Sequence, residues 1–142
     1  MAKFSPNPAA EAKAAFDVVQ PGTYRMRVKE VTDKKPDGSI LQSGKGNKYF
    51  KVTLEYVDPT SLLREDGQPA KSVGNIFDNG LVYEPAEAQG RLRNFVESCG
   101  KSWDTINDTD ELVGCEVDVK IKTDTYEGEK SNKVGRYLAP KV

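Results

Sequence analysis

The sequence predicts a mostly β domain, and three observations carry that expectation. Five segments read as strands, and apolar residues alternate at period two in the first, second and fourth of them, the pattern of strands with one face in water. One segment of period 3.6 lies between the third and fourth of them. Stretches rich in glycine, proline, asparagine and aspartate punctuate the series.

Residues 1–21 read as a flexible N-terminal arm. The run PAAEAKAA favours helix, but only Phe16 and Val18 are placed to anchor it. Pro21-Gly22 then marks the start of a domain expected over residues 22–142. In the first strand Tyr24, Met26 and Val28 alternate with Arg25, Arg27 and Lys29, which gives a basic outer face. Residues 33–47 form a turn-rich loop. In the second strand Phe50, Val52, Leu54 and Tyr56 point one way and Tyr49, Lys51, Thr53 and Glu55 the other; Asp58-Pro59 ends it. A third strand over about 73–83 alternates poorly. Gly74, Asn79 and Gly80 predict a bulge or bend there, and the phase of Phe77 and Tyr83 stays open.

Pro85 opens a helix predicted over about 86–99, with Glu84 and Glu87 at its positive end and Gly100 as its stop. Its apolar face carries Leu92, Phe95, Val96 and Cys99. Trp103 and Ile106 fall in the connector, and Thr109–Leu112 suggests one more turn. Cys115, Val117, Val119 and Ile121 define the fourth strand. Residues 124–131 are read as a hairpin loop around Gly128, and 132–139 as the fifth strand. Five strands with one helix between strands 3 and 4 is the plan of the OB-fold, a Greek-key barrel whose open end the helix plugs. Another small β-barrel or an α+β sheet is the competing reading.

Composition removes several classes of function. The 142 residues suit one domain. With no histidine, Ser-His and Cys-His nucleophiles and imidazole metal sites are excluded. Two cysteines cannot make a four-thiolate zinc site, and both fit small buried hydrophobes. No apolar run approaches the ~20 residues of a membrane helix. The first residues lack the apolar core of a secretory signal, so a cytoplasmic location is expected. Gly44-Lys45-Gly46 lacks the spacing, the following Ser/Thr and the following helix of a phosphate loop. The acids of 104–118 fit a solvated connector better than a magnesium site. No catalytic residue, metal or cofactor is therefore expected, and the chain is read as a binding protein, not an enzyme.

The net charge of −1 hides a polarity. Residues 22–51 carry a net +5 and residues 120–136 a net +2, whereas residues 84–118 carry −6. If strands 1 and 2 turn their apolar phases inward, Arg25, Arg27, Tyr49 and Lys51 share the outer face. In an OB-fold that face and two loops form the ligand groove. The first loop supplies Lys34, Lys35, Lys45 and Lys48; the second supplies Tyr126 and Lys130, flanked by Lys122 and Lys133. Phe77 joins this set as a candidate of open phase. Cations that track phosphates, interleaved with rings that stack bases, suit single-stranded nucleic acid.

The stretches PGTYRMRVKEV, GNKYFKVTLEYVD, NIFDNGLVYEPAEAQGRLRNFVESCG and ELVGCEVDVKIKTDTYEGEKSNKVGRY resemble a family of small tailed-bacteriophage proteins, over about residues 20–139. That family belongs to the early replication and recombination region and is associated with OB-fold single-stranded DNA binding. The resemblance implies a protein that coats and protects single-stranded DNA in the host cell cytoplasm, with phage replication or recombination proteins as further partners. One departure is the C-terminal run RYLAPKV, which is basic where many such proteins carry an acidic tail. The competing function is an interaction module that recruits a replication or recombination partner through the acidic stretch 104–118.

Overall fold

The five strand segments pair into one antiparallel sheet in the computed structural model, which describes residues 2–6 and 17–140. Its strands are β1 (Gly22–Thr32), β2 (Lys48–Tyr56), β3 (Ile76–Glu84), β4 (Glu116–Tyr126) and β5 (Glu129–Leu138), in the order β3-β2-β1-β4-β5. One α-helix, α1 (Gly90–Ser98), lies between β3 and β4. The mostly β architecture and the place of the helix are as the sequence predicts. Inward residues of all five strands meet in one core, with Met26, Val28, Val52, Leu54, Leu81, Val117 and Val119 fully buried.

The sheet does not close on itself through a hydrogen-bonded ladder. β3 and β5 are its two edges, and side chains bridge them. Tyr137 of β5 donates to Asp78 of β3 at 2.6 Å. Arg91 of α1 donates to Asp78 at 2.9 Å and to the Gly135 carbonyl at 3.3 Å. The apolar stripe Leu92, Phe95 and Val96 lays the helix over this gap, with the Phe95 ring 4.7 Å from that of Tyr137.

Several local expectations change. Residues 86–88 form a 3-10 turn, and the helix proper begins at Gly90. Gln89 turns its side chain back to the Tyr83 carbonyl at 2.6 Å, and Gly90 is the costliest helix former short of proline. The 124–131 loop is instead mostly strand: β4 and β5 pair as far as Tyr126 and Glu129. Glu127 and Gly128 alone make the turn, both at positive φ (51° and 80°), the backbone that a tight two-residue hairpin demands. The 33–47 loop contains two turns of its own, closed by the bridges Lys34 with Ile40 and Gln42 with Lys48, and it buries Leu41.

The expected helical lead-in of the arm lies outside the described residues. The arm's last residues, 17–20, are bound to the domain. Val19 is fully buried, its backbone N–H and carbonyl both bonded to the Asn132 side chain at 2.8 Å. Among the described residues no helix is long and apolar enough to cross a membrane.

Candidate nucleic-acid interface

Strand register decides which of the expected cations are available. β1 lies between β2 and β4, with Arg27 opposite Glu55 on one side and Glu116 on the other. Its arginines are therefore flanked by acids. Arg25 Nε donates to Asp118 Oδ1 at 2.6 Å and a guanidinium nitrogen lies 3.7 Å from Glu116. Arg27 reaches Glu55 at 3.3 Å and Glu116 at 3.8 Å, and Lys29 reaches Glu55 at 4.0 Å. The hydrogen bond that Arg25 donates to Asp118 raises the Arg25 pKa above its ordinary value. The centre of the outer face is an ion-pair lattice of matched charge, not the open basic face that strand 1 alone suggests.

Among the described residues Lys51 and Lys122 form no ion pair, and both lie beside the opening between β3 and β5. A bulge in the β2–β3 pairing, where Phe50 opposes Leu81 and Val52 opposes Asp78, resets the phase of β3 across Asn79-Gly80. Asp78 and Leu81 turn inward and Phe77 turns out, with half its surface exposed. Lys51 of β2 lies over the Phe77 ring, its Nζ 4.7 Å from the centroid. Beside this pair a cleft of about 520 Å³ opens between β3 and β5, lined by Phe77, Gly80, Arg91, Lys122, Lys133 and Gly135 among others. Lys133 pairs with Asp124 at 3.7 Å, whereas Lys122 forms no ion pair among the described residues. A second hollow of about 270 Å³, lined by Asp17, Val18, Ile76, Lys130 and Asn132 among others, shares the Phe77 ring with the first. Phe77 thus lines both hollows at the open edge of the sheet.

Gly80 belongs to the construction of this cleft. A Cβ there would lie 3.1 Å from Arg91 Nε and 3.2 Å from Asp78 Oδ1, inside the Asp78–Arg91 contact. Asp78, almost fully buried, accepts from Tyr137, Arg91 and its neighbour Gly80 N–H at 2.8 Å. Burial, with Asp78 adding to it, raises the Tyr137 pKa well above the ordinary phenol value. The cleft wall is accordingly fixed by a buried, charge-assisted hydrogen-bond network.

The remaining candidates are dispersed. Tyr126 is three-quarters exposed at the hairpin tip, and Lys130 pairs with Glu65 at 3.6 Å. Lys34, Lys35 and Lys45 are exposed in the β1–β2 loop. Lys48 pairs with Glu84 at 3.2 Å. Tyr49 is half-buried opposite Val82, toward the end of β2 that carries the β1–β2 loop. The structure therefore brings Lys51, Phe77, Lys122 and Lys133 together, extends toward Lys130, and separates Arg25 and Arg27 from them by pairing. Arg91 is the residue that sequence reasoning missed. Its only signal was a cation beside the apolar stripe of a helix in the most acidic part of the chain.

The acids of 104–118 and the two cysteines do not converge as metal ligands among the described residues. No protein-family model and no curated protein matches this chain.

Proposed function

We propose that this chain is a single-stranded DNA-binding protein of the bacteriophage type, which coats and protects exposed strands during replication or recombination. The observation that carries the reading is the Lys51–Phe77 pair standing in the groove lined by Lys122, Lys133 and Arg91. An exposed phenylalanine in an edge strand loses nothing to a base that stacks on it, and every base offers a π-face. A lysine already on the ring can move to a phosphate with little rearrangement. Cations on both sides of the ring suit a polyanion that passes over it. The account needs no chemistry and no cofactor.

In this reading the architecture is an OB-fold whose β3–β5 closure is made by Asp78, Tyr137 and Arg91 in place of ladder bonds. The groove lies along that closure. The hairpin with Tyr126 flanks one end, and the β1–β2 loop with Lys34, Lys35 and Lys45 flanks the other.

Titration of labelled oligo-dT and of a duplex of equal length, each at two salt concentrations, tests the proposal. Tighter binding of the single strand, weakened by salt, is expected. Equal affinity for both forms, or no binding at low salt, would reject it.

A further inference from the structure

An apolar hollow of about 190 Å³ shares no lining residue with the two beside Phe77, and the DNA-binding reading does not use it. Phe50, Leu92, Val96, Trp103, Ile106 and Leu112 supply its apolar lining. Trp103 and Ile106 are half-buried, and Val113 beyond Leu112 is exposed. The rim is acidic. Residues 102–118 hold six carboxylates and no lysine or arginine. Glu116 and Asp118 are taken up by the β1 arginines. Asp104, Asp108, Asp110 and Glu111 are all exposed and form no ion pair among the described residues. Asp108 lines the hollow itself and caps the turn Thr109–Leu112, accepting from the Asp110 N–H at 2.9 Å.

We infer that this hollow docks a basic protein segment and takes one aromatic side chain from it. Three observations select that partner. The volume suits a single side chain. Small-molecule sites run upward from about 300 Å³, whereas a cavity of roughly 150 Å³ with aliphatic and aromatic walls holds one benzene ring. Two of the lining residues, Phe50 and Trp103, are themselves rings, and contact between rings favours an aromatic occupant over an aliphatic one. The four unmatched carboxylates attract lysine or arginine on either side of that anchor and repel phosphates and acidic chains. Burial of the ring supplies the attraction, and the charges select the segment that carries it. The inference does not depend on DNA binding.

Trp103 is the chain's single tryptophan and lines the hollow, so its emission reports occupancy directly. The probe is a tryptophan-free synthetic peptide of lysines around a central phenylalanine, blocked at both ends and titrated into the full chain without DNA. A saturable blue shift of Trp103 is expected. The same peptide with alanine at its centre should bind about tenfold or more weakly, as loss of a buried aromatic anchor does. Asp104→Asn with Glu111→Gln should weaken the phenylalanine peptide by about threefold at low salt and hardly at high salt. Both positions are exposed, and a melting temperature equal to the parent's shows that the fold is kept. No Trp103 response, an equal response to the alanine peptide, or a response indifferent to the two carboxylates would each overturn the inference. The chain's own Lys3-Phe4 has similar chemistry, so emission is first recorded without peptide, over a dilution series and in Phe4→Ala. An emission that changes in either comparison places the arm of this chain in the hollow and also overturns the inference.

Discussion

The Tyr137 phenol donates a 2.6 Å hydrogen bond to Asp78 Oδ2, and this contact joins the two free edges of the sheet. Both residues are buried, and Asp78 also carries Arg91 and the Gly80 N–H. Tyr137→Phe should cost about 2 kcal/mol, the usual value for a hydrogen bond to a charged group. Asp78→Ala should cost about 3 kcal/mol or more, because it strands a phenol and part of a guanidinium. In the Asp78→Ala background, Tyr137→Phe should cost little. Urea melts of the two single variants and the double variant check this; additive losses would show that the contact does not couple the edges.

Burial also sets how stability responds to alkali. The Cys99 thiol is pushed from its ordinary 9.0 up to about 12 by burial, with the neighbouring Cys115 adding to it. Burial likewise raises Tyr56 and Tyr137 above their ordinary 10.0. The folded chain therefore holds these protons after the unfolded chain has lost them. Stability from these groups is complete below about pH 9 and falls as pH rises toward 12 and beyond. Urea midpoints measured across that range should decline steadily, and Tyr137→Phe should shallow the decline above pH 10. A flat profile to pH 11 would contradict the assigned burial.

Register makes a sharp distinction between cations of the same type. Lys122 is unpaired among the described residues and lines the cleft, so Lys122→Ala should flatten the log–log salt slope of single-strand binding by about 0.7. Arg25 is held by Asp118 and Glu116, so Arg25→Ala should leave that slope nearly unchanged. It should instead lower stability by roughly 1–3 kcal/mol, because the buried Asp118 loses the hydrogen bond from Arg25. The same salt titrations and thermal melts report both effects.

Strands β1, β2 and β4 were legible in the sequence because each has one dry face, and alternation records that directly. The phase of β3 was not, because the bulge at Asn79-Gly80 reverses the alternation halfway along. The hairpin was underestimated because β4 and β5 run on past the core as a polar ribbon, which has no apolar period. The basic face of β1 was read from one strand alone. Its neutralisation by Glu55, Glu116 and Asp118 arises only when β2 and β4 fall into register on either side. Tyr49 was assigned to the outer face and Phe77 left open for a related reason. The alternation of β2 showed Tyr49 facing out, whereas the position of Phe77 depends on the bulge.

The most direct test of the DNA-binding account is the affinity of Phe77→Ala for labelled oligo-dT at two salt concentrations, with its melting temperature measured alongside. The ring is half-exposed, so the melting temperature should change little. A stacking residue contributes roughly 1–3 kcal/mol per base and almost nothing to counterion release. Affinity should therefore fall by about tenfold or more at both salt concentrations with the slope unchanged. A stable Phe77→Ala protein that binds oligo-dT as tightly as the parent would contradict the account.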